Sequence, residues 1–244
     1  QEIQLARQIQ RTFLPEQLPQ VDGWQVDSRW QTARQVGGDF YDIFSLGPDL
    51  LGLVIADVSD KGMPAALYMT VARTLLRANS KTTSSPALVL ERVNHLLFND
   101  SQNGMFVTVV YATLQPSTGE LVYANAGHNR PLLYQVKTNR VEILPKGGMA
   151  MAVLEDIKIQ DHSLKLEPGD SLILYTDGAT ESFSPSGEAF GEIRLADSFL
   201  KAVQQNPASL IEEIEAVLYR FREGAPPSDD ITFLSITRLK GESS

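Results

Sequence analysis

Apolar positions recur with a helical period at the start of the chain. Leu5, Ile9 and Phe13 fall at i, i+4 and i+8 with Ala6 beside them, which predicts a helix over 1–13. Leu14-Pro15 stops it. Two readings of its apolar face stay open: a short helix packed on its own domain, or the end of a connecting helix that pairs with a second copy or carries a signal from an upstream domain. Beyond it the pattern turns strand-like. Strands are predicted over 24–32 and 40–46, and the run LGLVIA at 51–56 reads as a buried strand ending at Asp57. A helix over 64–79 has Pro64 in its first turn, as helix starts prefer, and a second covers 86–98. Apolar residues on nearly every face of the first (Ala65, Leu67, Met69, Val71, Leu75) predict a core helix. Further strands are expected at 106–114, 120–126, 131–136, 141–144, 159–166 and 171–175, then helices at 192–203 and 207–221, and a last strand at 231–237. Strands in hairpin-like runs between helix pairs, rather than strict β-α-β alternation, predict an α+β fold with antiparallel sheets.

Composition narrows the chemistry. The 244 residues carry 30 Asp and Glu against 21 Lys and Arg, a net charge of −9, which argues against a nucleic-acid or anionic-membrane binder. There is no cysteine, so a disulfide framework, a thiolate zinc site and a Cys nucleophile are excluded. Three scattered histidines, His95, His128 and His162, make an all-histidine metal site a poor expectation. Any metal chemistry falls to oxygen ligands. No apolar run approaches the roughly 20 residues of a membrane helix, so no membrane insertion is expected. The chain begins without Met, partway into a helix, and without the apolar middle of a signal peptide. It reads as a fragment of a longer cytoplasmic protein.

The informative feature is where certain aspartates sit. Asp39 follows Gly37-Gly38 and opens a strand, Asp57 and Asp177 end apolar strands, and Asp229 and Asp230 immediately precede the last one. Carboxylates converging at strand ends repel unless something positive lies between them, and oxygen-only ligands point to Mg²⁺ or Mn²⁺ rather than zinc. Glycines beside three of the sites (Gly37-Gly38, Gly62, Gly178) permit tight turns and leave room for a small ligand. Each aspartate taken alone reads equally as a turn former or helix cap. Rival motifs fail. The diguanylate-cyclase hairpin needs a second acid where Phe40 stands, and a calcium loop opening at Asp57 has Lys61 and Tyr68 at its fifth and twelfth positions. No G-x-S-x-G elbow, P-loop or kinase signature occurs.

Six segments in this order, VGGDFYD (36–42), IADVSDKGMPAALYM (55–69), NAGHNRPLL (125–133), LYTDGATES (174–182), EAFGEIRL (188–195) and DDITFL (229–234), closely resemble the metal-dependent protein serine/threonine phosphatases, the PPM family, and within it the bacterial SpoIIE/RsbU-like branch. The resemblance covers the chain from about Trp24 to Ile236, and LARQIQRTFLP before it resembles the linker helix to an upstream sensor. It implies an α-β-β-α sandwich of two antiparallel sheets flanked by helix pairs. Residues 1–20 would be a linker to a missing upstream sensor or receiver domain, and 21–244 the phosphatase domain. It implies two Mn²⁺ or Mg²⁺ ions: Asp39 and Asp57 on one, with Asp57 bridging to a second completed by Asp177 and Asp229, and the Val58 carbonyl adding a ligand. Asp42, Asp60 and Asp230 would surround the site or hold an additional ion, and Arg34 is a candidate for the substrate phosphate. Two-metal activation of water would then hydrolyse phosphoserine or phosphothreonine without a covalent intermediate.

In this branch the substrate is typically a phosphorylated STAS-domain protein, an anti-sigma-factor antagonist in stress-response signalling. The alternative is a partner-binding signalling module of the same fold, inactive or conditionally silent. A homodimer through the N-terminal helix is a further expectation, and the 64–79 helix resembles the branch's switch helix. Two departures stand out. Asp57 is followed by Val58-Ser59 where many eukaryotic members carry His, so the leaving group's proton must come from elsewhere; His128 has both a buried structural and a catalytic reading. Ala150-Met151-Ala152 replaces the branch's Pro-Leu-Gly, which puts the local loop geometry in question.

Overall fold

Ten strands pair into two antiparallel five-stranded sheets, ordered β1-β10-β9-β6-β7 and β2-β3-β4-β5-β8 in the computed structural model, which describes residues 2–100 and 104–241. The first sheet comprises β1 (Trp24–Gln31), β6 (Leu132–Gln135), β7 (Arg140–Ile143), β9 (Ser171–Tyr175) and β10 (Ile231–Arg238). The second comprises β2 (Phe40–Gly47), β3 (Leu50–Val58), β4 (Val107–Gln115), β5 (Glu120–Ala126) and β8 (His162–Lys165). Helices α2 (Met63–Asn79) and α3 (Pro86–Asp100) pack on the second sheet; α5 (Gly191–Gln205) and α6 (Leu210–Phe221) cover the first. Helix α1 (Glu2–Phe13) precedes them, and one short turn of helix, α4 (Asp177–Thr180), follows β9. The expected α+β sandwich is therefore the observed architecture. Gln1, the start of the expected first helix, lies outside the described residues.

Alternation along the central strands explains why they are apolar throughout. In β9, Leu172 and Leu174 join the core shared with the second sheet, while Ile173 and Tyr175 face the layer of Phe199, Ile211 and Ile214 from α5 and α6. Strand β10 repeats the pattern, with Leu234 and Ile236 inward and Phe233 under the helices. A strand packed on both faces has no polar face to present. The strand expected over 159–166 shortens to β8, and the helix expected from 207 begins with a single 3-10 turn, Pro207–Ser209.

Two expectations need correction. Helix α2 is not buried all round: Ala65, Met69, Ala72 and Leu76 enter the core, but Leu67 is 63% and Val71 45% exposed. On α1 Ile3, Leu5 and Ile9 are exposed while Ala6 and Phe13 are half-buried, so the apolar face is packed on its own domain only in part; the residue α1 buries is Gln10.

The 147–156 loop bears out the concern raised by its composition. Ala152 adopts φ 66°, left-handed backbone that glycine takes without penalty and alanine does not. It is held there by the buried Asn94, whose Oδ1 accepts from Ala152 N (2.8 Å) and whose Nδ2 donates to the carbonyls of Leu154 (3.0 Å) and Glu155 (2.7 Å). Replacing Ala152 with glycine should stabilise the domain by about 1 kcal/mol. For a chain of this size the melting temperature should rise by ~2–4 °C. An unchanged or lower midpoint in thermal denaturation would count against this account.

Candidate active site

The two sheets end together where β3, β9 and β10 bring their aspartates to one edge. Asp57 lies at the end of β3, Asp177 at the start of α4 just past β9, and Asp229 and Asp230 just before β10. Asp57, Val58, Asp60, Lys61, Asn129, Asp177 and Asp229 line a cleft of about 330 Å³ at this edge. Asp39 lies beneath it, fully buried, immediately before β2.

Buried neutral donors hold Asp39 in place. The hydroxyls of Thr176 and Thr232 both donate to its Oδ2, at 2.6 and 2.8 Å, and the Trp30 indole donates to its carbonyl at 2.9 Å. Burial and the nearby Asp57 and Asp230 charges nevertheless raise its carboxyl well above the usual range. Burial, followed by the Asp177 charge, pushes Asp57 to about 7, and the Asp39 and Asp57 carboxyls are hydrogen-bonded to each other. Burial, with Glu181 and Asp229 nearby, lifts Asp177 to about 6.

Other acids are spoken for. Lys61 Nζ donates to Asp229 Oδ2 at 2.6 Å, an ammonium inserted at the cleft. Asp230 is a brace: its two oxygens accept from Ala33 N (2.8 Å) and Gly38 N (2.9 Å), tying the 33–39 loop to the start of β10. At Gly37 and Gly178 the missing side chain makes room for protein rather than for a ligand. A Cβ on Gly37 would lie 2.2 Å from Asp230 Oδ2, and one on Gly178 would lie 1.9 Å from the Asp230 carbonyl oxygen. Asp42 is not brought to the cleft. It is buried on β2 and ion-paired to Arg73 (3.0 Å) and Arg77 (2.9 Å) of α2. Asp60 stands exposed on the rim with φ 78°, its Oδ1 accepting from Lys61 N. Arg34 is exposed nearby, with its guanidinium reaching toward Gly62.

His128 is structural. It is buried, with Nε2 3.1 Å from the Tyr175 carbonyl and Nδ1 2.7 Å from the Thr108 hydroxyl. A carbonyl only accepts, so Nε2 carries the proton and Nδ1 accepts from Thr108. Burial drops its pKa to about 3, so it is neutral at ordinary pH.

Among the described residues no three Asp, Glu, His or Cys side chains stand close enough to enclose one ion. The donors nonetheless fit Mg²⁺ or Mn²⁺, which take hard oxygens and are commonly held by one or two carboxylates with water completing the shell. Carboxyls raised by mutual repulsion are also what added cations would relieve. Sequence reading missed Lys61, Thr176 and Thr232. Nothing in the 55–69 segment marks Lys61 as the partner of Asp229, and the threonines are two ordinary strand-end residues that only pairing places side by side.

The two sheets, their flanking helices and the acidic edge together make up the architecture of a SpoIIE-type domain. The family model Stage II sporulation protein E (SpoIIE) matches residues 47–239, and the chain belongs to this family. It is 34% identical to Protein IcfG of Synechocystis sp. (strain ATCC 27184 / PCC 6803 / Kazusa), over 97% of this chain and 41% of that protein. It is 30% identical to the phosphoserine phosphatase RsbU of Bacillus subtilis (strain 168), over 76% of this chain and 55% of RsbU. The chain thus spans about half the length of these curated relatives. Its fold matches the SiaA-PP2C domain of Pseudomonas aeruginosa with TM-score 0.85 and 23% identity, covering 98% of this chain and 96% of that one.

The raised carboxyls give a pH prediction for the metal-free protein. Asp57 is about 7 when folded and near 3.8 when not, so ionising it costs folded stability progressively from about pH 4 to 7. Asp57→Asn should therefore stabilise the metal-stripped domain above pH 7, on the order of 1–2 kcal/mol, and give no gain near pH 4. Chemical denaturation at both pH values checks this; a variant less stable at pH 8 overturns it.

Proposed function

We propose that this domain removes phosphate from phosphoserine or phosphothreonine on a regulatory protein, with a phosphorylated STAS-domain anti-sigma-factor antagonist as the substrate class. The observation that carries the reading is the convergence of Asp39, Asp57, Asp177 and Asp229 at one edge of the two sheets, with three of their carboxyls raised by burial and mutual charge. Asp39 and Asp57 would hold one divalent ion and Asp57, Asp177 and Asp229 the other, with the Val58 carbonyl an added ligand; the second set would have to draw together on its ion, since no three of these acids stand close enough to enclose one in this structure. When bound, Mn²⁺ or Mg²⁺ lowers the pKa of water and neutralises charge on phosphoryl oxygens.

The chain's own residues do the rest. Thr176 and Thr232 fix the orientation of Asp39. Lys61 lines the cleft and the exposed Arg34 reaches toward Gly62 beside it, two cations near where a phosphate dianion would enter. His128 is neutral, with both ring nitrogens engaged, so the proton for the departing serine or threonine oxygen comes from water. The cleft presents no Cys and no activated Ser nucleophile, in keeping with direct attack by water at phosphorus and cleavage of the P–O bond to the side chain.

RsbU is a phosphoserine phosphatase, and the similarity to it supports the same chemistry here. On this reading residues 1–20 link the domain to an upstream sensor or receiver domain in a cytoplasmic protein. The exposed Ile3, Leu5 and Ile9 of α1 would mediate a homodimer. Among the described residues no helix is long and apolar enough to cross a membrane.

Turnover of p-nitrophenyl phosphate should require added Mn²⁺ and fall at least about 100-fold in Asp57→Asn and Asp177→Asn. Full activity in either variant, or in excess chelator, overturns the reading. The alternative, a partner-binding module of the same fold, predicts tight binding of the phosphorylated partner with no phosphate release.

A further inference from the structure

Helix α1 joins the body in an unusual way. Its large apolar side chains Ile3, Leu5 and Ile9 point outward, while Gln10 is 3% exposed. A buried amide is costly unless both its ends are bonded, and both ends of Gln10 are used on a single backbone residue. Nε2 donates to the Gly37 carbonyl at 2.5 Å, and the Gly37 N–H donates to Oε1 at 3.2 Å. Two bonds from one planar amide to one residue fix the position and the tilt of that backbone, as a neighbouring strand would.

Gly37 lies two residues before Asp39. The next amide, Gly38 N, is held by Asp230 Oδ2, and Ala33 N by Asp230 Oδ1. The loop that delivers Asp39 is thus gripped on one side by Asp230 and on the other by Gln10. The Asp230 side is packed without slack, since even a methyl group on Gly37 would meet that carboxylate. The Gln10 side depends on where α1 lies.

We propose that Gln10 is a positioning residue. Its amide sets the loop that presents Asp39, so these two bonds to Gly37 govern how tightly the domain holds divalent cations. This rests on the metal-site reading above.

Titration calorimetry of this chain with Mn²⁺ tests it, with activity as a second readout. Gln10→Met keeps the volume and loses both bonds; Gln10→Asn keeps the amide but withdraws it from Gly37. Both should bind Mn²⁺ about 10–100-fold more weakly than the parent, the effect expected of residues that orient ligands. The Mn²⁺ concentration for half-maximal p-nitrophenyl phosphate turnover should rise in step, while turnover at saturating Mn²⁺ stays close to the parent's. A merely structural role would instead lower saturating turnover and the metal-free melting temperature together. Gln8→Ala, at an exposed position on the same helix, should match the parent. Mn²⁺ affinity within about twofold of the parent in whichever Gln10 variant folds overturns the proposal. If the parent itself binds no Mn²⁺, the metal-site reading fails first, and the two failures are told apart by that one titration.

Discussion

Electrostatic repulsion among carboxylates at the meeting edge of two sheets is the constraint around which this domain is arranged. Asp39, Asp57, Asp177, Asp229 and Asp230 fall on four separate segments, and only the pairing of β3, β9 and β10 with their neighbours gathers them. The surroundings accommodate the charge in two ways. Hydroxyl and backbone N–H donors take up Asp39 and Asp230. An ammonium, Lys61, takes up Asp229. Asp39, Asp57, Asp177 and Asp230 nonetheless keep raised carboxyls. That residual destabilisation is what the divalent ions of the proposed site would relieve.

The rigidity needed to hold like charges together comes from strands buried on both faces. β9 and β10 are clamped between the inter-sheet core and the α5/α6 layer, so their ends cannot drift apart to relieve repulsion. Glycines then let the loops close in: Gly37 and Gly178 exist so that Asp230 can sit against both. Asp230 thereby joins three segments, the 33–39 loop, α4 and β10, although it lines no part of the cleft.

Much of this was legible in the order of residues. Long apolar runs bounded by Asp, and helices opened by proline, placed nearly every element within a few residues, because burial on both faces and proline's fixed φ are local signals. The acidic edge was readable from repeated Asp placement at strand ends. What was not legible depends on pairing across the fold. Asp42 sits three residues from Asp39 and looks equivalent in sequence, but it is buried against Arg73 and Arg77 of α2. Asp230 is adjacent to Asp229 and serves the backbone instead of the cleft. The exposed side of α2 was hidden because Leu67 and Val71 are as apolar as the residues that do enter the core, and composition cannot say which face has a neighbour.

The two acids of the VGGDFYD segment show how one stretch of chain reports to two places. Asp39 is fixed from the sheet side by Thr176 and Thr232, while Asp42, farther along, is fixed from the helix side by two arginines one turn apart on α2. Arg77 also lies over the Phe44 ring at 5.0 Å, so its guanidinium bears on β2 at two points. A buried carboxylate is retained only with such partners, since removing one leaves an uncompensated charge. Helix α2 is therefore tied to the strand that follows Asp39, just as α1 is tied through Gln10 to the loop that precedes it. Both helices carry exposed apolar side chains, Leu5 and Ile9 on one and Leu67 and Val71 on the other. Both elements are thus hydrogen-bonded or ion-paired to either side of one buried carboxylate, at points no more than three residues of backbone from Asp39.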